Sequence, residues 1–217
     1  MAEFFAMLQE GTRSPREEFM AIPQLQRGIR GQISLATYLA FLVQAYHHVR
    51  HTVPLLMACG SRMDSHQEWL REAFARYIHE ERGHQEWILN DIRACGTDPE
   101  LHRHGIPHPS TELMVAYAWD TVQRGNPLGL FGMIYVLEST SVQLAMQAAG
   151  AIRTSLSLPH KAFSYLSSHG TLDIDHMDFF RSLVNRIGGR NDRQAILHMA
   201  NMMYRLYGDV FRHLPLD

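Results

Sequence analysis

The sequence predicts an all-α fold, a single bundle of about seven to eight helices. Three observations carry that expectation. Long apolar segments such as Leu35–Cys59 (LATYLAFLVQAYHHVRHTVPLLMAC) exceed the length of a strand. Helix-capping and helix-stopping residues punctuate the chain between them. No run shows strict period-two alternation bounded by hairpin signals. A length of 217 residues suits one well-cored domain, and no shift of composition divides it. The domain is therefore expected over residues 1–217, with a short N-terminal extension at 1–14.

The elements follow in order. Ser14-Pro15 before Arg-Glu-Glu reads as a helix start, with Ser as N-cap and Pro in the first turn. Ser34 opens a second, long helix that stops near Gly60, and Pro54 should bend or break it near Thr52. Asp64 or Ser65 caps a third helix, expected to run unbroken to about Ala94 with Gly96 as its C′ residue. The segment TDPELHRHGIPHPS is a loop. Ser110 or Thr111 caps a helix to about Arg124, and Gly125-Asn126-Pro127 ends it. A long apolar helix follows to about Ser155. Pro159 begins a helical stretch through Ser168, with Gly170 a candidate break before a helix ending near Ile187-Gly188. Asn191 or Asp192 caps the last helix, to about His213.

Composition narrows the function classes. Apolar residues are 46% and charged residues 19%, the balance of a soluble globular protein. A net charge of −2 with interspersed signs argues against nucleic acid or an anionic membrane as partner. The start lacks the pattern of a secretory leader. No uninterrupted apolar stretch reaches the roughly 18 residues of a membrane span, so a cytoplasmic location is expected. The two cysteines, Cys59 and Cys95, have no metal or redox spacing. Fourteen histidines are the outlier, and several cluster.

Three segments could carry chemistry. In HGTLDIDH, His169, Asp173 and His176 stand at i, i+4 and i+7, within about 60° of one another on one helix face. Imidazole and carboxylate together suit iron, manganese or zinc. In YIHEERGHQEW, Glu81 and His84 have the i, i+3 spacing of a Glu-x-x-His ligand pair. That spacing favours Glu81, with Glu80 the alternative ligand, while a charged, solvated helix face is the plainer reading. Gly83 in mid-helix costs roughly 0.5–1 kcal/mol relative to Ala and suggests close approach of another helix or a ligand. Glu138 is the only acidic residue between Asp120 and Asp173. A lone carboxylate in an apolar helix must be neutral, paired or metal-bound. Together the six residues offer three imidazoles and three carboxylates from three helices. Their charge nearly offsets the +4 of two Fe(II) ions.

The pieces EERGH (80–84), YVLESTSVQLA (135–145) and HGTLDIDH (169–176) resemble the haem-oxygenase-like di-iron oxidases, iron-containing redox enzymes of seven helices. The resemblance runs from about Ile22 to the C-terminus and implies a haem-oxygenase-like bundle. It also implies a non-haem di-iron oxidase or oxygenase acting with O₂ on a small metabolite. By the resemblance, Glu81, His84 and His169 would hold one iron, and Glu138, Asp173 and His176 the second. The second site of such enzymes is often weak, and an iron–manganese pair would suit the same ligands. Ser139 stands where the family pattern has Gly.

The cluster Tyr46-His47-His48-Val49-Arg50-His51 remains. Tyr46, Arg50 and His51 are expected to line the substrate pocket. An Arg fork there would suit a carboxylic or amino acid. The alternatives are a haem-binding protein with one of these histidines as ligand, a metal-free enzyme related to thiaminase II or pyrroloquinoline-quinone synthase, or a non-catalytic helical binding module. The external electron donor is not legible, and a homodimer is the default assembly.

Overall fold

The computed structural model describes residues 3–216; the side chains of residues 169–175 lie outside the described set. The chain folds into α1 (Phe4–Gly11), α2 (Arg13–Met20), α3 (Pro23–Ile29), α4 (Leu35–Val49), α5 (Thr52–Ser61), α6 (Glu68–Glu81), α7 (His84–Ala94), α8 (Glu100–Arg103), α9 (Pro109–Arg124), α10 (Leu130–Leu156), α11 (Ser164–Arg186) and α12 (Arg190–Arg212). No strand occurs among the described residues. The all-α expectation holds, but the helices outnumber the seven or eight anticipated. Two long segments are split, α4 from α5 and α6 from α7, and the first 30 residues form three short helices.

Local chemistry explains most boundaries. The Ser34 side chain accepts from the Thr37 N–H and caps α4. Pro54 lies in the first turn of α5, where a missing N–H costs nothing, so the break falls at Arg50–His51. Gly96 follows α7 with φ +88°, as a C′ glycine should. Other caps lie elsewhere than expected. Thr12, not Ser14, precedes α2. His108 caps α9 by accepting from the Ser110 N–H, with Pro109 at the first helical position. Gly189 precedes α12. Gly170 does not interrupt α11, whose backbone is helical from Ser164 to Arg186.

α10 is the axis of the bundle and packs against α11, α12 and α3. Pro127–Leu156 is long and apolar enough to cross a membrane by length and composition, yet 67% of its most apolar window is buried inside the bundle. That burial is what a core helix requires. Gly132 permits the α10–α12 crossing, because a Cβ there would run into the Ile196 carbonyl and the Ala200 amide. One large cluster surrounds α10 and α12, with Phe74, Phe131, Tyr135, Phe180 and Tyr204 buried in it. A smaller one joins α4 and α7 to the C-terminal half of α10 through Tyr38, Leu42, Ile88, Ile92 and Ile152. The N-terminal residues belong to the core as well. Phe4, Phe5 and Leu8 are buried, and the Phe5 N–H donates to Asn185 Oδ1 at 2.9 Å.

Candidate metal centre

The end of α6 carries Tyr77, Glu80 and Glu81 toward the bundle interior. The chain then leaves helical geometry for two residues, Arg82 extended at φ −65°, ψ 120° and Gly83 left-handed at φ +94°. His84 starts α7. The expected unbroken helix over Glu81 and His84 is therefore corrected. So is the reason for Gly83: a Cβ there would meet nothing within 4 Å, and the positive φ is what demands glycine. The pair still meets across the break, with His84 Nδ1 3.0 Å from Glu81 Oε2.

His176, projecting from α11, is buried at the centre of three carboxylates. Its Nε2 lies 3.1 Å from Glu80 Oε2, and its Nδ1 lies 3.6 Å from Glu138 Oε1 and 3.9 Å from Glu81 Oε1. Glu138 reaches the site from α10 and is 8% exposed, although α10 offers no other acidic side chain. The second oxygen of Glu80 is engaged by Arg76 at 2.9 Å. The His84 ring stacks on Trp87 at 4.0 Å, which fixes its plane. Glu81, His84, Glu138 and His176 thus come together from four helices, and Glu80 joins them from α6. His169 and Asp173 lie outside the described residues.

Four side chains of this set meet the first requirement of a divalent transition-metal site, mixed imidazole and carboxylate donors within one buried volume. Crowded carboxylates with a single guanidinium among them also call for further positive charge. Among the described residues, no group of three or more is already spaced for coordination. Their side chains instead pair with one another, the contacts that a cation would replace.

The cluster opens into a cavity of about 170 Å³ whose walls are mostly apolar. Glu81, Glu138 and Tyr77 form its polar end, and Leu137, Leu144, Ala148 and Ile152 carry it along α10 toward Tyr38 and Leu214. The Tyr77 hydroxyl is buried with no hydrogen-bond partner. Burial first, then the charges of Glu138, Glu80 and Glu81, push its pKa well above the usual tyrosine value, so it remains a neutral O–H donor. Sequence spacing gave no sign of its place here beyond lying one turn before Glu81.

The Tyr46, Arg50 and His51 side chains do not line this cavity. Arg50 is exposed, its guanidinium 5.7 Å from the centre of the Tyr46 ring. His51 Nδ1 accepts from the Trp119 indole at 3.2 Å. The same segment reaches the cavity through His48, Val49 and Thr52, on the other face of the kink. No Lys or Arg lines the cavity among the described residues. Neither cysteine does. The buried Cys59 thiol donates to the Pro127 carbonyl, and burial pushes its pKa up to about 12.

A family described as iron-containing redox enzymes matches residues 39–208. No curated protein sequence matches the chain. Among solved structures, a domain of unknown function with a haem-oxygenase-like fold from Shewanella denitrificans OS217 superposes with TM-score 0.85 at 20% identity. It covers 99% of this chain and 92% of that one. A haem oxygenase from Leptospira interrogans gives TM-score 0.77 at 16% identity, over 98% and 100% of the two chains. A TenA homologue from P. horikoshii OT3 gives 0.79 at 9% identity, over 97% of each. At these identities the likeness is one of fold, and that fold hosts more than one chemistry.

Proposed function

The chain belongs to the family of iron-containing redox enzymes, and from that premise we propose that it is an O₂-dependent non-haem di-iron oxidase or oxygenase of a small metabolite. The observation that carries this reading is the meeting of Glu81, His84, Glu138 and His176 at the polar end of an apolar cavity. These residues fit iron by donor type and by charge. Glu81 and His84 would hold one ion and Glu138 and His176 the other. His169 and Asp173 complete the two sets in the reading drawn from the sequence. Bound there, two Fe(II) ions would supply electrons to O₂ and open positions at which it can bind.

The protein's own contribution is orientation and exclusion of water. Leucine, isoleucine and alanine walls favour a substrate with a long apolar body and keep bulk water from the reacting end. The Tyr77 hydroxyl, with no partner of its own, donates to an oxygen of the substrate head placed beside Glu81 and Glu138. With Arg50 in solvent, a substrate carboxylate would rely on this hydroxyl and on metal charge rather than on a guanidinium fork.

Anaerobic Fe(II) titration tests the reading. Two ions per chain should bind, and O₂ should then produce a transient visible absorption that Glu138→Gln and His176→Ala abolish. Retention of that absorption in both variants would sink the proposal. A haem-binding reading has one observation in its favour, the position of His48 on the cavity wall. It requires a Soret band on adding haem that His48→Ala removes. It also leaves three carboxylates around His176 without a purpose. A hydrolase working through a cysteine finds no thiol at the cavity.

A further inference from the structure

On the far side of α10 lies a second cavity, of about 380 Å³, polar where the first is apolar. Gln9, Arg16, Tyr135, Ser139, Gln143 and Tyr204 line it. Arg16 is half-buried over this space, and its Nη1 lies 3.4 Å from the Tyr135 hydroxyl. No carboxylate among the described residues pairs with it. Glu17 and Glu18, its neighbours on α2, are exposed, and Glu18 is hydrogen-bonded by Ser14 instead. The Tyr204 hydroxyl is also unusual. Tyr204 is 2% exposed, and its hydroxyl sits on the wall of the same cavity beside the Ser139 and Tyr135 hydroxyls, with Arg16 close enough to act on it by charge. An unopposed guanidinium and a buried hydroxyl facing one polar space form half of a binding site.

We propose that this cavity binds a small organic carboxylate carrying hydroxyl groups, at a site separate from the apolar cavity. One guanidinium matches the single charge of a monocarboxylate and offers it a two-pronged set of donors. The Tyr135 and Tyr204 hydroxyls, the Ser139 hydroxyl and the two glutamine amides can each donate or accept, so they suit hydroxyls on the ligand. A phosphate would ask for more cationic partners than the cavity supplies. The site also touches the proposed centre through the chain. Ser139 follows Glu138, Met177 follows His176, and Thr140 lines both cavities. A ligand here would brace the segments of α10 and α11 that carry Glu138 and His176.

The test uses the metal-free full chain, so it stands or falls independently of iron. Sodium gluconate, lactate and acetate are titrated at constant ionic strength, with sodium chloride, inorganic phosphate and glucose as controls. Tyrosine difference absorption and Tm are the readouts. Gluconate or lactate should give saturable changes in both, weakened about tenfold or more by Arg16→Gln, the loss expected for a charged hydrogen-bonding partner. Tyr204→Phe, which keeps the ring and the packing, should weaken binding by a smaller factor. Circular dichroism decides whether Arg16→Gln is folded; should it unfold, Tyr204→Phe and Arg16→Lys carry the same comparison. The proposal is overturned by the absence of any saturable response, by equal responses in wild type and folded variants, or by an equal response to phosphate.

Discussion

His84 Nδ1 and Glu81 Oε2 lie 3.0 Å apart although the two residues belong to different helices. A two-residue break, centred on a left-handed glycine, replaces the helical turn that their spacing suggests. Because the break sets how α7 leaves α6, it also sets how far the imidazole can turn from the carboxylate. Gly83→Ala should destabilise the protein by about 1–2 kcal/mol, the cost of a left-handed L-residue. Gly150→Ala, at an exposed helical glycine of α10 with open space at its Cβ, should be neutral or stabilising. Urea denaturation compares the two. In the Gly83 variant Fe(II) should also raise Tm less than in wild type, whereas equal stability and equal response would refute the role given to the break.

Gly132 predicts a penalty of a different origin from the same substitution. A methyl group there would meet the backbone of α12 at Ile196 and Ala200, and neither atom can swing aside as a side chain could. Gly132→Ala should cost about 1–3 kcal/mol through overpacking, with the α10–α12 spacing widened. Thermal unfolding with near-ultraviolet circular dichroism measures both consequences. An unchanged Tm would show that the crossing is looser than its geometry.

Asp91 ties two of the site-bearing helices together. It is fully buried on α7, and its carboxylate accepts from the Ser164 and Tyr165 N–H groups, each at 2.9 Å, and from the Ser164 hydroxyl. It therefore caps the start of α11, the helix that carries His176. Asp91→Ala should cost about 1–3 kcal/mol by leaving buried donors unsatisfied. Amide exchange at Ser164 and Tyr165 should accelerate. Burial holds the Asp91 pKa above its ordinary value despite these hydrogen bonds. The folded protein then binds the proton more tightly than the unfolded chain does. The stability advantage of wild type over Asp91→Ala is accordingly greatest below the ordinary aspartate pKa and shrinks as pH rises through the folded value. A constant difference across that range would contradict the assignment.

The histidines of the kink give the opposite pH dependence. Burial, followed by the charge of Arg50, lowers the pKa of both His47 and His51 from the ordinary 6.5. The unfolded chain therefore takes up protons first. Their contribution is intact above pH 6.5 and is lost as pH falls from there through the lowered folded values. Arg50→Gln should raise both pKa values and soften that acid loss. Proton NMR titration of the imidazoles and urea melts on either side of the window provide the check. An unaltered pH slope in Arg50→Gln would remove Arg50 as a cause.

Much of this protein was written locally. Ser34, Pro54, Gly96 and the Gly125-Asn126-Pro127 stop act through their own backbone geometry, so the helices they bound could be read without a structure. Glu138 could also be read, because a lone carboxylate in an apolar helix has few inexpensive fates. The pairing of Glu81 with His84 was legible in kind, since either a helical turn or a short break can bring residues three apart together. The break itself was not, because Glu80 to Trp87 suits a continuous helix and a glycine takes negative or positive φ about equally readily, so Gly83 alone does not announce which. Cap identity failed for a related reason: Thr12 and Ser14, or His108 and Ser110, are both competent, and tertiary contacts select between them. The face of the kinked segment that meets the cavity was likewise undetermined. Helical periodicity separates His48 and Thr52 from Tyr46 and Arg50, but only the packing of the bundle decides which side looks inward. Tyr77 and Arg16 were silent for the same reason, since nothing local tells which polar side chains the packing turns toward a cavity.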